Sequence, residues 1–284
     1  MAYLGKLVPK RWRRDRKVVP VVRMQGAIGM AAPLRPGISL ASLAGPLDRA
    51  FETKRAVAVA ILINSPGGSP VQSRLIYQRI RQLAEKHEKP VLVFVEDVAA
   101  SGGYMIALAG DEIYADPSSI VGSIGVVSAG FGFTEAIKKL GINRRVHTAG
   151  ERKAILDPFA PERKADVEHL KALQREIHDV FIGMVKERRG DKLTEDDDTF
   201  SGLFWTGGHG LARGLVDGIG DLRGVLIEKY GEEVEPKLIA PDRGFLFRKP
   251  VGGIGFGRGL ELDGIADAAI SAIEERALWA RFGL

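Results

Sequence analysis

The chain has 284 residues, 45% of them hydrophobic and 27% charged, with 35 glycines, 14 prolines and no cysteine. That apolar content excludes wholesale disorder and suits one large α/β domain or two small ones. The missing thiol excludes a disulfide, a thiolate zinc site and a cysteine nucleophile.

The formal charge of +5 is local. Residues 1–17 hold seven cations against Asp15, so the tail is +6 and the rest of the chain sums to −1. A basic nucleic-acid platform is therefore not expected. The tail reads as a solvated leader, with peripheral contact to anionic lipid as the alternative. The two longest stretches without a formal charge, 56–73 and 117–134, have 18 residues each. Both are broken by Pro, Gly and Ser, so neither makes an apolar helix of ~20 residues. Val18–Val22 is too short for the apolar region of a signal sequence, and Arg23 ends it. The expectation is a soluble, cytoplasmic protein, at most peripheral at the inner membrane face.

In chain order, Val18–Met24 is β-branched and predicts a strand. Leu40, Leu43, Leu47, Ala50 and Phe51 recur at helical spacing behind Ser39, a suitable N-cap, and predict a helix over 40–53. The run Ala56–Ile63 predicts a strand covered on both faces. Asn64–Ser69 then breaks it with turn chemistry, and a helix follows over 71–87. The unit repeats: strand 90–95, turn 96–100, short helix 101–109. Strands over 113–115 and 123–128, a helix over 134–140 and a strand over 144–148 come next. A long helix spans 161–188, with Val167, Leu170, Leu173, Ile177, Phe181 and Met184 in one stripe. Such strand–turn–helix repeats predict parallel sheet. Residues 244–260 read as a Gly- and Phe-rich loop or clamp. Leu262, Ile265, Ala269 and Ile273 suggest an amphipathic helix that packs on the body or a sister subunit. The domain reading is a basic tail over 1–17, a catalytic domain over 18–226 and an extension over 227–284.

Two Gly-rich turns follow apolar strands, at Ser65–Gly68 and Ser101–Gly103. Ligand sites of open α/β sheets gather at such strand ends. Gly67 and Gly68 are candidate oxyanion donors, with an ordinary tight turn as the plain alternative. Ser101 is either a helix cap or a nucleophile. His87, His169 and His178 fall in predicted helices among charged residues and read as solvated. His147 and His209 remain as weak candidates for a Ser-His-Asp triad. No two histidines have metal-ligand spacing, so no catalytic metal is expected.

Four ordered motifs narrow these alternatives: Ser65-Pro-Gly-Gly, Ala100-Ser-Gly-Gly-Tyr, Val121-Gly-Ser-Ile-Gly-Val126 and Gly150-Glu-Arg-Lys-Ala-Ile-Leu-Asp-Pro-Phe159. With Trp205-Thr-Gly and Gly214-Leu-Val-Asp217, they resemble the signal peptide peptidase A family over about Val18 to Gly224. That family comprises Ser/Lys serine peptidases of the Clp protease/crotonase-like fold, a repeated β-β-α superhelix. The resemblance implies Ser101 as nucleophile, Lys153 as general base, Gly68 as oxyanion donor and Ser123 as the hydroxyl that orients the lysine. It also implies a homo-oligomeric ring with active sites at subunit contacts, where neighbours supply Ser and Lys. Family members usually carry an N-terminal membrane anchor, where this chain has only its basic tail.

A free lysine has pKa ~10.4, so the base needs burial or a nearby cation to work at neutral pH. Ala154, Ile155, Leu156 and Phe159 could wall it, and Arg152 could repel its charge. The expected function is an ATP-independent endopeptidase acting on short apolar peptides, without cofactors; no Walker-type motif occurs. The alternatives are a crotonase-type acyl-CoA enzyme using Gly67 and Gly68, and a catalytically silent scaffold at the membrane face.

Overall fold

The central strands are buried along almost their whole length, so successive side chains enter packed layers on both faces of a sheet. The computed structural model describes residues 16–29, 37–194, 196–240, 273 and 275–284. β1 (Val18–Gln25) leads to α1 (Leu40–Phe51), which Ser39 caps by accepting from Ser42 N–H at 3.2 Å. β2 (Val59–Ser65) precedes α2 (Pro70–His87), whose N-cap is Ser69 and whose first residue is a proline. β3 (Val91–Ala100) runs straight into α3 (Gly102–Ala107). β4 (Glu112–Ala115), β5 (Ile120–Gly122), α4 (Thr134–Lys139) and α5 (Lys164–Arg189) follow. The chain continues through β6 (Phe204–Thr206), α6 (Gly207–Ala212), β7 (Gly218–Ile219), α7 (Leu222–Tyr230) and β8 (Glu235–Leu238).

The main strand order is β6-β5-β3-β2-β1-β8, with β4 branching from β3 to β7. All pairs are parallel except β5 with β6. On one face Val59, Ile61 and Ile63 of β2 pack with α1, α2, α3 and the C-terminal half of α5, through Leu47, Phe51, Ile76, Ile80, Tyr104, Phe181 and Val185. On the other, Ala58, Ala60, Leu92 and Phe94 meet Val225 and Leu226 of α7.

Three expectations fail here. Residues 96–100 are strand, not turn. β3 pairs with β4 up to Val95 and with β5 from Val98, and the two acids sit where it changes partner. Asp97 accepts from Asn64 Nδ2 at 2.5 Å, and Glu96 is paired with Arg23. The strand expected over 123–128 lies earlier, at Ile120–Gly122, because Ser123 takes φ 53 and breaks it. Residues 144–148 form no strand and are exposed throughout. The clamp expected over 244–260, and all of the following helix before Ile273, fall outside the described residues.

Asp217 ties the far end of the sheet together. It accepts from Ile113 N–H at 2.8 Å, from both terminal nitrogens of Arg189 at 2.8 and 3.1 Å, and from Lys192 at 2.6 Å. Burial alone would raise its pKa, but the hydrogen bonds from Arg189 and Lys192 win and hold the carboxyl below its usual range. Beside it, the buried Tyr104 hydroxyl donates to Leu215 O at 2.7 Å. Burial drives that phenol's pKa upward, so it stays a neutral donor.

Candidate active site

The site forms where β2, β3 and β5 end side by side. After β2 the chain turns through Gly67 (φ 104) and Gly68 (φ 139), values that favour glycine. Ile28 clamps this turn: its N–H donates to Gly67 O at 2.8 Å, and its carbonyl accepts from Ser69 N–H at 2.8 Å. A Cβ on Gly68 would lie 2.2 Å from Ile28 O, so only glycine fits. Gly68 N–H has no acceptor among the described residues. Gly67 differs, since its N–H donates to the buried Ser65 Oγ at 3.2 Å. Of the two candidate donors, Gly68 is therefore free, whereas Gly67 only shapes the turn.

Ser101 stands between β3 and α3 at φ 52 and ψ −122, a conformation that costs a non-glycine residue on the order of 1–3 kcal/mol. Its N–H is held by Gly122 O at 2.8 Å, and its carbonyl accepts from Met105 N–H at 3.0 Å. Its hydroxyl makes no capping hydrogen bond. The choice between cap and nucleophile left open by sequence is thereby narrowed. Gly102 N–H, at the start of α3, is one of the orphan donors of a helix end. A Cβ on Gly102 would lie 3.4 Å from Gly68 N, so the Gly68 turn and the start of α3 approach closely next to Ser101. Sequence reasoning passed over Gly102; its signal was the glycine directly after the candidate nucleophile.

Among the described residues, two cavities open onto Ser101. One, about 200 Å³, is bordered by Pro66 and Gly68 and walled by Met105, Val127, Ile177, Phe181 and Leu278. The other, about 310 Å³, joins Ser101 to Ser123, Gly125, His178, Ser201 and Gly202. Arg281 borders both, and Phe282 beside it meets Phe204 edge-on at 5.0 Å. Ser123 is 5% exposed, with φ 53 and its N–H donated to Leu203 O at 2.7 Å.

Lys153 is not with them. It is exposed, lines neither cavity, and its ammonium bonds to nothing among the described residues. Arg152 is equally exposed, while Ile155, Leu156 and Phe159 are half-buried. The stretch that carries Lys153, from about residue 127 to 163, folds on itself through Arg144–Asp157 at 2.9 Å and the Phe133–Phe159 ring pair. It leaves Phe131 81% and Leu140 73% exposed.

The histidines are also redistributed. His147 and His209 are exposed and line neither cavity. His178, expected to be solvated, is half-buried beside Ser101 and Ser123, with Nε2 3.0 Å from Ile124 O. His87 is half-buried too, with its ring 6.3 Å from that of Phe51. Among the described residues no cluster of His, Asp and Glu could hold a metal ion.

Residues 83–233, more than half of the chain, match the model of peptidase family S49. The chain belongs to this family. It is 32% identical to the chloroplastic serine protease SPPA of Arabidopsis thaliana, over 75% of this chain and 32% of that protein. Protease 4 of Haemophilus influenzae is also 32% identical, over 71% of this chain and 32% of that one. A Brucella abortus protein named as the Na(+)/H(+) antiporter NhaA is 60% identical over 99% of this chain, which spans 39% of its length. No helix among the described residues is long and apolar enough to cross a membrane. Among solved structures, the 1510-N membrane-bound stomatin-specific protease in mutant form aligns with TM-score 0.51 and 19% identity, covering 80% of this chain and 99% of that one. A second mutant of it, in complex with a substrate peptide, aligns with TM-score 0.50 and 18% identity over 91% of this chain and 99% of that one. This likeness shows that the chain shares the α/β fold of that protease.

Proposed function

We propose that this S49 family member is a serine endopeptidase in which Ser101 attacks a peptide carbonyl and forms an acyl-enzyme. The observation that carries the reading is the Ser101 elbow: a strained backbone presents a hydroxyl free of capping duty beside the unbonded Gly68 N–H. The oxyanion rests on Gly68 N–H and Gly102 N–H. Removing one such donor from a peptidase costs ~10²–10³ in kcat. Peptide side chains enter the 200 Å³ cavity, whose Met105, Val127, Ile177 and Phe181 walls favour apolar residues.

Lys153 acts as the general base from a neighbouring copy. The exposure of Lys153, its absence from both Ser101 cavities and the exposed apolar residues of its own segment support this arrangement, because a second copy could cover that segment. Ser123 then orients the incoming lysine, whose amine is neutral once the contact buries it and takes the Ser101 proton before passing it to the leaving amine. A head-to-tail contact of this kind makes a ring where its rotation closes. Neither cavity beside Ser101 is lined by a carboxylate, so the acyl-CoA reading, which wants an acidic base, gains no support.

The test is turnover of a fluorogenic peptide with a small or apolar P1 residue. Ser101→Ala and Lys153→Ala should each be inactive while folded. After dissociation and random reassembly, an equal mixture of the two should regain about a quarter of wild-type activity, since one contact in four pairs an intact serine with an intact lysine. Activity surviving Lys153→Ala would overturn the base assignment.

A further inference from the structure

We infer that His178 is a positioning residue of the Ser101 site, holding the Ser123–Gly125 turn through a hydrogen bond to the Ile124 carbonyl. This rests on the peptidase reading above and adds to it a residue on α5 to which none of the expected roles was assigned. Nε2 of His178 lies 3.0 Å from Ile124 O. A carbonyl only accepts, so Nε2 must carry the proton, which fixes the neutral tautomer and leaves Nδ1 as the open nitrogen.

The turn needs holding. Ser123 is a non-glycine residue at φ 53, and such a conformation survives only where its surroundings over-determine it. One side is fixed by Ser123 N–H on Leu203 O at 2.7 Å and by the close approach of Gly125 to Gly202, where a Cβ would meet Gly202 Cα at 2.9 Å. His178 adds a further restraint, from α5. The residue preceding Ser123 also takes part: Gly122 O accepts from Ser101 N–H at 2.8 Å. One short segment thus sets the position of both serines, and a shift of Ile124 moves Ser123 relative to Ser101.

The helix that carries His178 is a firm anchor. Near its C-terminus Arg188 donates to Leu108 O at 2.9 Å and to Gly110 O at 2.8 Å, at the end of the segment that begins with Ser101. Arg189 donates to Gly214 O at 2.7 Å and pairs with Asp217. Phe181, one turn beyond His178, is 2% exposed in the core. His178 therefore refers the Ser123 turn to the same frame that holds α3.

The experiment compares His178→Ala, His178→Gln and His178→Glu in the full chain. Gln retains an N–H donor; Glu has nearly the same shape but only acceptors when ionised, so the pair remains informative if the Ala variant fails to fold. The readouts are the rate of Ser101 labelling by a fluorophosphonate, and kcat and KM on the fluorogenic peptide. A misplacement of about 1 Å at a reacting group costs on the order of 10²-fold. The Ala and Glu variants should lose about that factor in labelling rate and kcat with KM unchanged, whereas Gln should recover most of it. Equal loss in folded Gln and Glu variants, or full activity in Ala, overturns the inference. Ser123→Ala with normal labelling and turnover refutes the route through Ser123 but leaves Ser101 as nucleophile. Wild-type Ser101 that never labels refutes the peptidase reading, and this inference with it.

Discussion

Ser101→Ala separates a cap from a nucleophile by stability alone. A serine whose hydroxyl caps a helix loses about 1 kcal/mol on conversion to alanine. Here the hydroxyl makes no cap bond, and its backbone is held instead by Gly122 O at 2.8 Å and Met105 N–H at 3.0 Å, contacts that alanine keeps. Alanine also keeps the Cβ, so the strain at φ 52 is the same in both proteins. The expected change in unfolding free energy is thus close to zero, while peptide turnover vanishes. Urea unfolding followed by circular dichroism measures the first, with the m-value checked for constancy. For a chain of this size a loss of 1 kcal/mol would lower Tm by about 2–4 °C, which calorimetry resolves. A clear destabilisation of that size would show that the hydroxyl serves α3, and would remove the main support for the nucleophile.

Gly68→Ala should be impaired in both stability and activity. Its Cβ would sit 2.2 Å from Ile28 O at a φ of 139, so the turn must move and carry its N–H away from Ser101; kcat should fall by ~10² or more, and unchanged kcat would refute the donor role. Asp217→Asn removes the counter-charge of Arg189, whose side chain is 2% exposed, and should cost on the order of 3 kcal/mol in denaturant unfolding. The same pair sets a pH dependence. Because the folded carboxyl titrates below its unfolded value near 3.9, its contribution is complete above that value and is lost as pH falls through the lower folded one. Wild type should therefore lose more stability than the Asn variant on acidification below about pH 4, and parallel losses would refute the coupling.

The central strands were legible because their chemistry is local. The apolar run into β2, the turn glycines and the N-caps at Ser39 and Ser69 each state their conformation in a few residues. β3 was cut short because Glu96 and Asp97 imitate a turn, and only the partner change from β4 to β5 explains two acids inside a strand. His178 was hidden by its neighbours Glu176 and Asp179, since a charged helix face says nothing about which carbonyl one ring will meet. The apolar stripe on α5 was only half informative. Phe181 and Met184 enter the core, whereas Leu173 and Ile177 remain 43% and 37% exposed, because periodicity marks a face and not the surface that covers it.

β3 is ten residues long and hydrogen-bonded in turn to β2, β4 and β5, with Ser101 as the very next residue. Amides so placed exchange with solvent deuterium only when the whole domain opens, whereas those of an exposed surface stretch exchange through local fluctuations. Residues 127–153, exposed nearly throughout, belong to the second kind. The proposed nucleophile and base therefore stand at opposite ends of the protein's exchange spectrum, one on the slowest ground and one on the fastest. A deuterium map of the isolated chain would show protection ending sharply beyond the Ser123 turn. Slower exchange around Lys153 on self-association would mark the contact that the proposed base requires.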